Sequence, residues 1–363
     1  KNLLTLSRAV LNDPEPDAYD RQAWELNTPD GIIRLDTGEI TPADPRAKHT
    51  KITAVSIGLG DTQMWQGFLA HITGGNKAFE TYLQTLAGMA AVGAVYEEGL
   101  IISYGPGGNG KSTFFGALRR VLGDYAKSIN PDVLVSTSGQ NDQSYVAALR
   151  GVRLALLSET EEGARLGAAQ MKRLTSRDSI SARALYKDPV EFEPVHTAIM
   201  HTNHLPRLSS MDTGTRRRIA VVPFPATLPP EKTIMDFERQ LVERCGGVIL
   251  QWIVDGAKAF HAAGCKLAKP PCVQEATEEY LEDADWLQQF LDEECELDPA
   301  QRTRAGDLYN RYAEWSRARN AGYAQRASAF KAAMQQKGYT YRRTHQERLW
   351  VGVKLKTFED LPL

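Results

Sequence analysis

The chain has 363 residues, 42% of them hydrophobic and 24% charged, with a formal net charge of −2. That length exceeds one ordinary core and predicts two or three domains, while the composition excludes disordered and fibrous classes. Near-neutral charge argues against wholesale coating of nucleic acid, and no run approaches the roughly 18 apolar residues of a membrane span. The chain opens on Lys1 without a signal-peptide pattern, so a cytoplasmic protein that forms part of a longer polypeptide is expected. Cys245, Cys265, Cys272 and Cys295 form no C-x-x-C pair and have no His cluster, which predicts reduced structural thiols rather than a zinc site or disulfides.

Residues 1 to about 60 are turn-rich, with Asn27-Thr28-Pro29-Asp30-Gly31 and Asp36-Thr37-Gly38 around short β runs such as Gly31–Leu35, and read as small hairpins. Trp65, Phe68, Leu69 and Ile72 then fall at helical spacing, Gly74-Gly75 ends the run, and Tyr82, Leu83, Leu86, Met89 and Ala90 mark a second helix. From about 95 to 262, the aliphatic runs Leu100–Tyr104, Val152–Leu157, Thr197–Met200 and Ile219–Val222 alternate with helical stretches near 111–122, 166–176 and 236–262. That pattern predicts an α/β fold with buried parallel strands.

Pro270-Pro271 introduces a charge asymmetry. Residues 275–298 hold eleven acids and no Lys or Arg, whereas 302–356 hold thirteen Lys and Arg against three acids. This reads as an acidic linker followed by a basic module with its own partner, or as a solvated acidic helix beside an ordinary basic surface. The helical runs at Leu308, Tyr312 and Trp315 and at Phe330, Ala333 and Met334 precede a hairpin at 339–353, which predicts a winged-helix fold. Arg342, Arg343, Arg348 and Lys354 on that wing are suited to a DNA backbone or to a protein partner. The expected domains are thus 1–94, β-hairpins and a helical collar; 95–262, the α/β core; 263–300, an acidic linker or helix; and 301–363, a basic winged-helix-like module.

Gly105-Pro106-Gly107-Gly108-Asn109-Gly110-Lys111-Ser112 matches G-x-x-x-x-G-K-[ST] in full, between an apolar strand and a helix. Glycines let backbone amides wrap a polyphosphate, and the helix start favours an anion. Lys111 is expected to reach the β- and γ-phosphates of ATP and Ser112 to ligate Mg²⁺, with Thr113 completing the loop. At the end of the Val152–Leu157 run, on a strand expected to adjoin that of the loop, Ser158-Glu159-Thr160-Glu161-Glu162 offers a carboxylate. Glu159 is the first acid there, expected to hold the metal and polarise water, with Glu161 and Glu162 in reserve. Asn203, at the end of a third strand, is suited to the γ-phosphate or the attacking water. Lys172, Arg173, Arg177, Arg183 and Lys187 form a basic series for sequence-independent grip on phosphates.

In this order the motifs resemble the superfamily 3 helicases, and among them the helicase module of phage and plasmid primase-helicases and the poxvirus primase-helicase. GPGGNGKST, LALLSETEEG, MKRLTSRDSISARALYKDPVEFEP, HTN and TRRRIAVVPF carry the resemblance between Gly105 and Phe224. It implies an AAA+-type P-loop NTPase with an N-terminal helical domain and a C-terminal winged-helix domain. The same resemblance implies a homo-hexameric ring around single-stranded DNA, with room for a primase domain upstream in the same chain. By that likeness Lys111 and Ser112 are Walker A residues, Glu159 the Walker B acid, preceded by Ser158 where the family often has a second acid, and Asn203 the polar sensor. Residues 181–193 correspond to a channel hairpin with Lys187 near its tip, and Arg218, then Arg217, is the arginine finger. The expected function is an ATP-dependent DNA helicase of a mobile-element replication protein. The alternatives are an ATPase that remodels protein or loads a helicase, a small-molecule kinase, and a DNA-binding initiator with structural ATP.

Overall fold

The computed structural model describes residues 18–135, 142–158, 165–183, 188–208, 212–227, 234–319, 324–344 and 347–356. Two compact units emerge, Lys1–Pro206 with Arg218–Thr277, and Arg207–Arg217 with Glu278–Leu363. Among the described residues no helix is long and apolar enough to cross a membrane.

The larger unit is built on five strands, Leu100–Tyr104, Ala126–Ile129, Leu154–Leu157, Thr197–Thr202 and Ile219–Pro223. Every pairing between them is parallel. Counted along the chain they lie in the order fifth, first, fourth, third, second. Four are aliphatic because both faces are covered. Ala126–Ile129 is an edge strand whose Lys127 and Ser128 are exposed, and it carries no such run to announce it.

Helices Lys111–Leu122 and Phe237–Ala262 pack into the same core as Thr62–Ile72 and Lys77–Ala91. Trp65, Phe79 and Leu86 sit in one buried cluster with Phe114, Ile199 and Ile253. The helical part of the segment expected as 1–94 therefore shares a continuous core with the sheet. Two glycines permit the approach. A Cβ on Gly88 would lie 2.1 Å from Ala257 N, and one on Gly256 would lie 2.0 Å from Gln84 O, so the two helix backbones meet where side chains are missing. Arg153 adds a polar tie. Buried, it donates to Ala91 O at 2.9 Å, Ala23 O at 3.2 Å and Gln22 O at 3.0 Å, with its guanidinium over the Tyr125 ring. Burial lowers its pKa to about 10, so it remains a cation at neutral pH. The N-terminal strands Glu25–Thr28, Gly31–Arg34 and Ile40–Thr41 pair antiparallel, as the turn signals predict.

In the smaller unit, helices Trp286–Glu294, Ala305–Arg319 and Ala327–Gln336 accompany an antiparallel sheet. That sheet has Arg348–Val351 in the centre, flanked by Arg302–Arg304 and Thr340–Arg343. Leu287, Phe290 and Leu291 enter its core with Tyr312, Phe330 and Trp350. The acidic run thus supplies a packed helix. Its acids pair with the basic block: Glu293 with Arg319 at 2.7 Å, Glu294 with Arg311 at 2.5 Å and Asp285 with Lys337 at 2.9 Å. All four cysteines are free thiols, and burial pushes that of Cys295 up to about 12.

Candidate functional site

Register sets the site. Thr202 and Pro223 both pair with Tyr104 from opposite sides, so Asn203 and Phe224 arrive level with Gly105, where the glycine-rich loop begins. Pro106, Gly107 and Gly108 are exposed, Asn109 and Lys111 are buried, and the helix starts at Lys111. Gly110 holds φ +81°, and a Cβ there would meet Ile72 Cγ2 at 2.6 Å. At Gly105 a Cβ would fall 2.3 Å from Asn109 Nδ2 and 2.5 Å from Phe224 O. The glycines therefore serve close packing beneath the loop as well as its curvature.

Lys111 Nζ donates to Gly105 O at 2.8 Å, Asn109 Oδ1 at 3.3 Å and Asn203 Oδ1 at 2.5 Å. These three acceptors are neutral, and they hold the ammonium beneath the loop. Gly110 offers no side chain at the helix start, and Asn109 Oδ1 accepts from Lys111 N at 3.4 Å, which leaves the later first-turn amides for a ligand or water. Exposed glycines, uncapped amides and a held cation fit a polyphosphate. Ser112 is exposed beside them, as a hydroxyl that is to meet a metal ion must be.

Asn109 has a role its sequence position does not announce. Its Nδ2 donates to Phe224 O at 3.3 Å while its Oδ1 faces Lys111, so it ties the loop to the strand Ile219–Pro223. Asn203 is steered by its own turn, in which Thr202 Oγ1 donates to His204 O at 2.7 Å and accepts from His204 N. The strand leading to Ser158 does not adjoin the loop strand. Thr197–Thr202 stands between them, which corrects the expected adjacency and puts Asn203 in the neighbouring position. Glu159, Glu161 and Glu162 lie outside the described residues.

The three arginines before the fifth strand separate by environment. Arg218, only 10% exposed, pairs with Glu98 at 2.9 Å. Arg216 lies 3.6 Å from Asp285. Arg217 is exposed and makes no ion pair among the described residues. Glu98 is a partner that only the fold reveals, 120 residues from Arg218.

Ile180–Arg183 and Pro189–Phe192 form the antiparallel hairpin expected over 181–193, while Lys187 lies outside the described residues. Arg183 is exposed and Lys172 half-buried on the helix Ala168–Thr175. Arg177 is engaged with main-chain carbonyls, Val95 O at 3.0 Å and Tyr96 O at 2.9 Å, and Arg173 donates to Ser181 O. Those two members of the basic series brace the structure.

The parallel sheet, glycine-rich loop, buried lysine and strand-end asparagine form one site in a mixed α/β module. Residues 103–218 match a family of unknown function, DUF5906, and residues 1–74 match the family described as D5 N terminal like. "Putative helicase L207/L206" of Acanthamoeba polyphaga mimivirus is 28% identical over 300 residues, 76% of this chain and 30% of that protein. "Putative helicase 022R" of Frog virus 3 (isolate Goorha) is 27% identical over 232 residues, 59% of this chain and 24% of that protein. The chain thus spans under a third of the length of either relative. The apo A form of the NrS-1 C-terminal region has the same fold, with a TM-score of 0.52 at 11% identity, covering 97% of this chain and 90% of that one. Together these likenesses make the chain similar to part of two putative viral helicases, with the fold of the NrS-1 C-terminal region.

Proposed function

We infer that this chain is an ATP-dependent DNA helicase module that works as a homo-hexameric ring on single-stranded DNA. The observation that carries the reading is the 2.5 Å contact between Lys111 Nζ and Asn203 Oδ1, which joins the phosphate-binding cation to a polar group suited to the γ-phosphate. Gly105 to Thr113 would cradle ATP, and Ser112 with Glu159 would hold Mg²⁺. When bound, the metal neutralises charge on the phosphates. Arg217 is the better candidate for the finger that reaches a neighbouring subunit, because it is exposed whereas Arg218 is engaged with Glu98. Lys187, Arg183 and Lys172 would contact the strand, and the smaller unit would be a winged-helix domain.

ATP binding and hydrolysis, measured with and without single-stranded DNA on the intact protein and on Glu159→Gln and Lys187→Ala, test the reading. Glu159→Gln is expected to bind nucleotide without turning it over. Lys187→Ala should keep nucleotide binding but lose DNA stimulation and unwinding. Full unwinding by Lys187→Ala, or no affinity for magnesium nucleotide in the folded parent, would overturn it.

A further inference from the structure

The smaller unit carries an open groove of about 980 Å³ between the start of the helix Ala305–Arg319 and the hairpin at 340–351. Arg304, Arg343 and Arg348 line it, together with Thr344, Asp307 and Glu347. Arg343 and Arg348 stand directly opposite each other in the antiparallel register. Like charges in that arrangement repel and weaken a hairpin, and both side chains are exposed without an ion pair among the described residues. Glu347 is already engaged, since Arg304 donates to its Oε1 through Nε at 2.9 Å and Nη2 at 2.5 Å. Asp307 sits in the first helical turn, where a negative charge is favoured by the helix dipole. The two opposed guanidiniums are therefore left as an exposed pair of cations. The hairpin that presents them is closed by Thr344 N donating to Glu347 O at 2.8 Å and Glu347 N donating to Thr344 Oγ1 at 2.9 Å. Beside them, a Cβ on Gly306 would meet nothing within 4 Å, so the groove stays open at the helix start.

We propose that this groove docks the phosphate backbone of a nucleic-acid duplex, with Arg343 and Arg348 as its principal contacts. Opposed arginines on paired strands of one hairpin suit a phosphate run, which neutralises both at once. The choice of duplex over single strand rests on the lining. Sites for single strands pair basic grooves with aromatic platforms on which bases stack, and no aromatic ring lines this one among the described residues. Tyr341, a described ring on the same hairpin, is occupied, with Lys331 Nζ 3.8 Å above it and Trp350 packed edge-on. This site is distinct from the residues expected to grip single-stranded DNA, and it requires no turnover.

Fluorescence anisotropy on the full chain without nucleotide tests it, with a labelled blunt DNA duplex and a labelled oligo(dT) strand as probes across a salt series. Arg343→Ala/Arg348→Ala is expected to weaken duplex binding at least about tenfold and to flatten the log–log salt dependence by about two, near 0.9 per lost phosphate contact. Oligo(dT) affinity should change less than about twofold. Arg343→Lys/Arg348→Lys should stay within about threefold of the parent, because charge is kept. Glu347→Gln should tighten duplex binding by releasing Arg304. If the alanine pair disturbs folding, the lysine pair and Glu347→Gln still decide the matter. Unchanged duplex affinity and salt slope in a folded alanine pair would overturn the proposal, as would an equal loss for both probes, a duplex that the parent does not bind, or no response to Glu347→Gln. Because nucleotide is absent, none of these outcomes depends on the ATPase reading.

Discussion

Lys111 Nζ and Asn203 Oδ1 lie 2.5 Å apart although 92 residues separate them in the chain. The pairing of Thr202 with Tyr104 produces that contact, since it carries the next residue level with the loop. Removing each partner should therefore have a different result. Lys111→Ala deletes a buried charge partner for phosphate, a loss of about 2–5 kcal/mol or thirtyfold and more in affinity. Asn203→Ala should bind nucleotide nearly as well and lose about 10²–10³ in kcat, the scale of one removed polar stabiliser. Isothermal titration and steady-state hydrolysis separate the two, and a normal kcat in Asn203→Ala would remove Asn203 from the chemistry.

Arg217 and Arg218 are adjacent in sequence and should behave oppositely. Arg218→Ala leaves Glu98 without its guanidinium and is expected to cost about 1–2 kcal/mol of stability, below the value for a fully buried pair because Glu98 is 32% exposed. Arg217→Ala should leave melting unchanged and abolish hydrolysis in assembled protein. Mixing Arg217→Ala with Lys111→Ala subunits should restore part of the activity. Mixed rings that form and stay inactive would count against a shared site.

The crossing at Gly88 and Gly256 gives a packing test. Gly88→Ala raises helix propensity yet forces a methyl group to within 2.1 Å of a backbone nitrogen. Overpacking of this kind costs about 1–3 kcal/mol or more, which outweighs the gain of about 1 kcal/mol from replacing glycine in a helix. Urea denaturation should show a net loss, and a stabilised variant would refute the close approach.

His196 predicts a pH dependence. It is buried, donates through Nε2 to Leu174 O at 2.9 Å, and burial lowers its pKa to about 4. The unfolded imidazole titrates near 6.5. As pH falls below about 6.5, the unfolded chain takes up a proton that the folded chain refuses, so stability declines until about 4 and is level above about 6.5. The difference corresponds to about 3 kcal/mol. His196→Gln keeps a donor for the carbonyl and should flatten this part of the profile, as chemical denaturation at several pH values would record. An unaltered profile would assign the acid sensitivity elsewhere.

Four of the five strands were legible because burial on two faces demands aliphatic runs, and the phosphate loop because its chemistry fixes residue types at fixed spacing. Ala126–Ile129 escaped detection because that edge strand exposes Lys127 and Ser128, whereas the opposite edge, Ile219–Pro223, is buried. The acidic segment left linker and helix both open, because its carboxylates suit either, and only the packing of Leu287, Phe290 and Leu291 shows a buried helical face. Pairings such as Arg218 with Glu98 and Asn109 with Phe224 O join residues more than a hundred positions apart, and no local pattern encodes them.

The amide of Asn109 grips a main-chain oxygen, and that detail makes the tie genetically one-sided. Any amino acid placed at 224 still presents a carbonyl, so mutation there cannot erase the acceptor, whereas a single change at 109 cuts the tether. The limit on residue 224 is set instead by the packing of its buried ring against Phe79, Phe114 and Phe115.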